Sequence, residues 1–347
     1  MSMILHRVKT WTGTSVMSLD TKMSQLKGGR LSLLPAALLQ AAVSLPILVL
    51  CVFHAVLKPV SYKLLAPTLQ GGSKRRQRTS PRGRTRLKVM TFNIRCGVDR
   101  SGSYDLARCV ASILKEDPDV VLLQEVTDKG YCEGWIGTTF VGEPTPEPKD
   151  QVSEILRMLV ESGGAQGWGK QATAEYVGPY QLEKIGRKGS YGIGVIAKRK
   201  AEQTKSLVYK PCVEGRQGRG ALACEFKVDG GARCWMICTH LQHDPTGYEQ
   251  EFQVAELLGW IDEELGGGNI VVGGDFNATP GFMPLRIMEK AMGRGRAEET
   301  TFPMGFGGIR LDYLFVRGNA IRRVEENKVL SDDTASDHFP MVCTVEV

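Results

Sequence analysis

Six apolar runs in this chain end, or begin, on a residue that can do acid, base or ligand chemistry. Asn93 closes the first, Leu87–Asn93, and Gln124 and Glu125 close Asp119–Val126. Thr239 and His240 follow Cys234–Cys238. Asp275 and Asn277 end the stretch Asn269–Val272 and Gly273-Gly274-Asp275-Phe276-Asn277, which stops at Pro280. Asp312 opens Leu311–Arg317, and Asp337 and His338 precede the last run. Singly, each has a plain structural role, since Asp and Asn favour turns and a lone His is usually a hydrogen-bonding partner. Jointly they supply one Glu, three Asp, two Asn and two His at strand ends, and polar groups at the ends of neighbouring strands meet on one rim.

The donor types fix the chemistry. Carboxylates and amides are hard oxygen ligands and suit Mg2+ or Mn2+ rather than zinc, and His240 and His338 lack the close spacing of a zinc pair. Two imidazoles beside a hard cation suit cleavage of a phosphate ester, one steadying the developing oxyanion and the other serving the leaving oxygen. Asp312 is placed to fix the tautomer of one histidine. The chain contains no GxSxG, HExxH or GxxxxGK[ST], so serine hydrolase, zincin and P-loop readings have no support.

Positioning these groups takes many strands. Alternation predicts strands over 87–93, 119–126, 191–198, 206–210, 220–228, 233–239, 269–275, 311–317 and 339–346. Helical spacing predicts helices over 104–115, 151–161, 249–264 and 283–292, the first opening near Asp105 and ended by Pro118. Strands and helices occur in both halves without regular alternation, which implies two packed sheets with helices outside. Gly273 and Gly274 are expected to leave room for a substrate phosphate.

The first 86 residues differ in kind. Residues 1–30 form a polar tail, and Leu31–Leu57 runs without a charge, long enough to span or enter a bilayer, with Pro46 near its middle. A signal or transit segment is the other reading. Residues 58–86 are a basic Gly/Pro-broken linker containing Lys74-Arg75-Arg76-Gln77-Arg78. A positive-inside flank and an anionic-lipid patch are its favoured readings, a nuclear or nucleic-acid tail the third. Residues 1–88 hold fifteen Lys/Arg against one acid, whereas 89–347 hold twenty-nine against thirty-seven, so the globular part is acidic and no basic duplex-binding face is called for. Nine cysteines without CxxC pairs imply small buried thiols.

These residues resemble the endonuclease/exonuclease/phosphatase superfamily, which includes DNase I, sphingomyelinases and inositol polyphosphate phosphatases. The pieces are Met90-Thr91-Phe92-Asn93-Ile94, Pro118–Val126, Thr239-His240-Leu241, Gly273–Asn277, Arg310–Phe315 and Ser336-Asp337-His338, in the family's order over residues 87–347. The compact forms look nearest to the small metal-dependent hydrolases of the group. The resemblance implies a DNase I-like four-layer α/β/β/α sandwich of two mostly antiparallel sheets. It implies Glu125 as main metal ligand with Asn93 and Asp337. Asp275 would orient or deprotonate the attacking water, Asn277 would hold a phosphate oxygen or that water, and His338 (paired with Asp312) and His240 would flank the phosphate. Water activation by His338 is the alternative. Around Ser190–Gly194 there is no counterpart of the glutamate that supports the histidine matching His240 in DNase I-like members, Glu183 is poorly placed for it, and Arg95 stands where some repair nucleases carry an acid.

The expected activity is that of a membrane-tethered, Mg2+-dependent phosphoesterase acting on a phospholipid, sphingolipid, inositol phosphate or small phosphodiester. A nuclease is the alternative, and a non-catalytic scaffold the third reading. Lys184, Arg187, Lys188, Arg216 and Arg219 are candidate phosphate contacts, and Trp135, Trp168 and Tyr180 candidate stacking groups. The catalytic part is expected in the cytosol, or in an organelle if residues 31–57 are a targeting segment. The single sequon, Asn277-Ala278-Thr279, lies inside the proposed site, where a glycan would block chemistry.

Overall fold

A computed structural model describes residues 85–347, save 129–133, 137–138, 142–149, 163–166, 170, 183–188, 214–215, 229–230, 294–298, 304–306 and 324–327. The apolar segment 31–57 and most of the basic linker lie outside the described residues. Among the described residues no helix is long and apolar enough to cross a membrane.

Fourteen strands are described. In chain order they are β1 (Arg86–Asn93), β2 (Val120–Thr127), β3 (Gly134–Ile136), β4 (Thr139–Val141), β5 (Thr173–Gln181), β6 (Ser190–Ala197) and β7 (Gln203–Val208). The rest are β8 (Gly220–Lys227), β9 (Arg233–His240), β10 (Asn269–Asp275), β11 (Asp312–Arg317), β12 (Arg322–Arg323), β13 (Lys328–Val329) and β14 (Met341–Glu346). Four α-helices accompany them: α1 (Leu106–Glu116), α2 (Gln151–Ser162), α3 (Tyr248–Glu264) and α4 (Met283–Met292). The first sheet has the order β12-β14-β1-β2-β6-β5, with β13 also on β14, and the second β11-β10-β9-β8-β7. β1·β2 and β9·β10 are parallel and the other pairs antiparallel.

Side-chain alternation makes the layers. In β1 and β2, Val89, Val120 and Leu122 point between the sheets, whereas Met90, Phe92, Val121 and Leu123 point out to Cys109, Ile113, Ile155 and Leu159 of α1 and α2. In β10, Val271 faces the inter-sheet core, while Ile270 and Val272 pack with Val254, Leu257, Leu285 and Met288 of α3 and α4. Each sheet therefore buries both faces, giving the expected α/β/β/α sandwich. Asp105 caps α1, its side chain accepting from Ala107 N at 2.8 Å.

Three sequence expectations need correcting. β5 falls in a stretch expected to be loop, because Gly178-Pro179 looks like a breaker. Its register shifts between Val177 and Tyr180, an irregularity on an edge strand where Pro is tolerated. The strand expected over 206–210 is β7, Gln203–Val208. Gly273 and Gly274 do not open space for a ligand. A Cβ on Gly273 would sit 2.6 Å from Leu314 Cδ2 and 2.7 Å from Leu122 Cδ1, and one on Gly274 would sit 1.9 Å from the Thr239 carbonyl oxygen. They let the two sheets, and β9 and β10, approach closely. Among the described residues, Cys96, Cys109, Cys224, Cys234, Cys238 and Cys343 are buried thiols outside any disulfide, as expected, whereas Cys212 is exposed.

Candidate active site

Strand register assembles the polar ends. Asp275, the last residue of β10, lies opposite Asp312 of β11 and His240 of β9, so three functional groups share one row across three strands. On the facing sheet Asn93 pairs with Gln124, one residue before Glu125. Glu125 sits at the register shift between Gln124 and Val126 with φ 56°, a bulge that re-aims its side chain. Asn277 also has positive φ (47°), in a turn closed by its own N–H donating to Asp275 Oδ1 at 2.8 Å.

The two sheets meet through these groups. Asn93 Nδ2 donates to Glu125 Oε1 at 3.0 Å and to Asp275 Oδ2 at 3.1 Å. The same Asp275 oxygen is 3.4 Å from His240 Nε2 and 3.8 Å from His338 Nε2. His338 Nδ1 donates to Asp312 Oδ2 at 2.8 Å. Ligating atoms of Glu125, His240 and Asp275 lie within 4.8 Å of one another, as do those of Asp275, Asp312 and His338. Asn277 Nδ2 is 3.1 Å from His240 Nε2 and donates to the Leu241 carbonyl at 3.0 Å. The structure thus gathers Asn93, Glu125, His240, Asp275, Asn277, Asp312 and His338. Asp337 stands at the half-buried edge, its Oδ2 3.3 Å from Arg95 Nε.

Burial and mutual repulsion set the protonation states. Burial, with Asp337 nearby, raises the Glu125 carboxyl. Burial and Asp312 push Asp275 up to about 7, against the opposing pull of His338. Burial lowers His338, but the charge and hydrogen bond of Asp312, helped by Asp275 and Asp337, carry it to about 10. His240 goes the other way: burial, Arg219 and His338 hold it well below the ordinary imidazole range. At neutral pH one imidazole is a cation and the other is neutral.

A divalent cation fits this donor set. Glu125 and Asp275 converge with both carboxyls raised by burial and neighbouring acids, which marks negative charge short of compensation. Asp312 Oδ1 is buried with no hydrogen-bond partner among the described residues. The converging oxygens are hard ligands of the kind Mg2+ and Mn2+ take.

Sequence reasoning missed several supports. Thr301 Oγ1 accepts from both Leu311 N and Asp312 N at 3.0 Å, fixing the start of β11. Gln250 Nε2 donates to the Asn277 carbonyl at 2.9 Å, pinning the turn after β10 to α3. Arg219 is buried against His240 instead of reaching outward. A signal existed for it: pairing the consecutive strands β8 and β9 puts Gly220 opposite His240, and the preceding residue lands beside the ring. Arg216 pairs with Glu249 at 3.3 Å. Trp168 and Tyr180 are buried packing groups. Glu183, Lys184, Arg187, Lys188 and the side chain of Trp135 lie outside the described residues.

The sequence profile described as "Endonuclease/Exonuclease/phosphatase family" matches residues 90–338. A curated relative, the uncharacterized protein YbhP of Escherichia coli K12, is 25% identical over 142 residues, covering 39% of this chain and 55% of its own length. The chain thus spans about half the length of the curated relatives it matches. Among solved structures, an endonuclease/exonuclease/phosphatase from Beutenbergia cavernae DSM 12333 superposes with a TM-score of 0.57 at 21% identity, covering 76% of this chain and 72% of that one. The human Nocturnin catalytic domain with bound sulfate superposes with a TM-score of 0.51 at 18% identity, covering 75% and 94%. These two likenesses are of fold. With the profile spanning all six strand-end motifs, the chain belongs to the endonuclease/exonuclease/phosphatase family of hydrolytic enzymes.

Proposed function

We propose that this chain is a Mg2+- or Mn2+-dependent phosphoesterase, held at a membrane, that hydrolyses a lipid or inositol phosphate head group or a small phosphodiester. One observation carries the reading: Asp275 lies between the Asp312-paired ring of His338 and the ring of His240. Such a carboxylate can take a proton from an attacking water while two ring N–H groups face the phosphate. Glu125, Asn93 and Asp337 are the residues to hold the cation, which when bound supplies Lewis-acid charge to a phosphoryl oxygen. Asn93 keeps Glu125 and Asp275 at a fixed separation through its two hydrogen bonds. Asn277, fixed by Gln250 and Leu241, is positioned to donate to a substrate oxygen.

The membrane part rests on sequence: an uncharged apolar run at 31–57 and a basic linker followed by an acidic globular part. That charge pattern also favours anchored lipid chemistry, with the catalytic part in the cytosol, over a nuclease. The run Lys74–Arg78 is the one observation that favours nucleic acid. A Mg2+-dependent screen of the full chain on sphingomyelin, phosphoinositides, bis-p-nitrophenyl phosphate and plasmid DNA separates the readings. Turnover of a lipid or small ester that survives salt supports the proposal. Plasmid cleavage that collapses with salt would favour the nuclease. No metal-dependent turnover on any substrate would sink both.

A further inference from the structure

His240 Nδ1 is 2.9 Å from Nη1 of Arg219. A guanidinium has donors only, so Nδ1 must accept and the ring proton resides on Nε2. Among the described residues that proton has one poor acceptor in reach, Asp275 Oδ2 at 3.4 Å. Asn277 Nδ2 gives one hydrogen to the Leu241 carbonyl and turns its second toward Nε2 at 3.1 Å, so this amide and Arg219 compete for the one bare ring nitrogen, and the charged, closer guanidinium takes it at Nδ1. A buried N–H aimed at the carboxylate cluster without a short acceptor is a donor kept for a ligand.

Arg219 is built in to hold that ring. It is 7% exposed, and among the described residues no carboxylate pairs with it. Nε donates to Gln242 Oε1 at 3.1 Å and Nη2 to Gln217 Oε1 at 3.3 Å. Nη1 also lies 3.4 Å from the Tyr191 hydroxyl, and the guanidinium carbon is 5.6 Å from the centre of the Tyr191 ring. Neutral amides, a phenol and an aromatic ring fix the fork's orientation without quenching its charge. Burying a cation with no anion is expensive, and the energy goes to one geometric result at His240.

We propose that Arg219 is a positioning residue that locks His240 in the neutral Nε2–H tautomer, so that this N–H is presented to an oxygen of the phosphate ester as an oriented donor. The identity of the acceptor rests on the phosphoesterase reading; the tautomer does not.

The test is long-range 15N–1H correlation of imidazole-labelled full-length chain, with His240 assigned by its disappearance in His240→Gln. Near neutral pH, His240 should show a protonated Nε2 and a bare Nδ1. Arg219→Met should populate the Nδ1–H tautomer and lower kcat on bis-p-nitrophenyl phosphate about 10- to 100-fold, with KM changed far less. Arg219→Lys, which keeps a donor, should restore the tautomer and part of kcat. A wild-type His240 protonated on Nδ1, or on both nitrogens, overturns the proposal, as does a folded Arg219→Met with unchanged tautomer and kcat. If Arg219→Met does not fold, the wild-type spectrum decides. If the chain turns over no ester, the phosphoesterase reading fails while the spectra still judge the tautomer.

Discussion

Asp312 Oδ2 stands 2.8 Å from His338 Nδ1, both side chains buried, and the pair spans the two sheets. Asp312 begins β11 of the second sheet, and His338 lies just before β14 of the first. The bond fixes the imidazole's orientation and turns Nε2 toward Asp275. Asp312→Asn keeps the shape and removes the charge. It should lower kcat by about 10²- to 10⁴-fold, as steady-state kinetics on bis-p-nitrophenyl phosphate would show. An unchanged rate would refute the role given to the pair.

Glu125→Gln tests the cation site. Turnover should fall by about 10²-fold or more, and calorimetric titration should find Mn2+ binding weakened, with the far-ultraviolet dichroism intact. A scaffold that merely kept the fold would lose neither function nor partner.

Cation binding should also register as stability. Because the folded chain assembles the donors and the unfolded chain does not, wild type should gain about 2.7 kcal/mol when Mg2+ reaches a hundred times its dissociation constant. Thermal melts with Mg2+ and then excess EDTA measure this. Glu125→Gln should show little of it.

The metal-free chain should lose stability as pH rises. His338 holds its proton to about 10 in the fold against an ordinary 6.5, so its contribution is complete below 6.5 and gone above 10. Asp275, raised from 3.8 to about 7, must give up a proton the fold prefers to keep, so stability also declines between those values. Urea midpoints in EDTA should therefore fall from pH 7 to 10, and His338→Gln should flatten that limb. An identical limb in the variant would contradict the assigned protonation state.

Gly274→Ala should cost about 3 kcal/mol or more, read from denaturant unfolding, because the new Cβ would strike the Thr239 carbonyl 1.9 Å away. Gly102→Ala, whose Cβ meets nothing within 4 Å, is the control for the steric part of that loss.

Most of this site was legible because alternating strands announce their own ends. Asn93, His240 and Asp275 each follow a run of buried residues, and a sheet aligns such ends. Glu125 was legible by position, but its bulge was not, since a register shift belongs to the pairing with β6. Arg219 is expected from sequence to contact phosphate, and the basic, glycine-rich loop alone does not show that it lies behind His240 instead. Only the β8·β9 register turns it inward. Gly273 and Gly274 were misassigned for a similar reason: what crowds them, Leu122, Leu314 and Thr239, belongs to other strands.

Gly273 carries a consequence for how such an enzyme fails. It sits where Leu122 and Leu314 close on it from either side, one residue before the Asp275 that Asn93 bonds from the opposite sheet. The inter-sheet gap at that point sets the distance from Glu125 and Asn93, proposed to hold the cation, to Asp275, proposed to accept the proton. Catalysis therefore serves as a gauge of how tightly the two halves are clamped. Heat, or a bulky residue in the central layer, should silence the enzyme while its sheets are still intact, and lost turnover should precede lost circular dichroism.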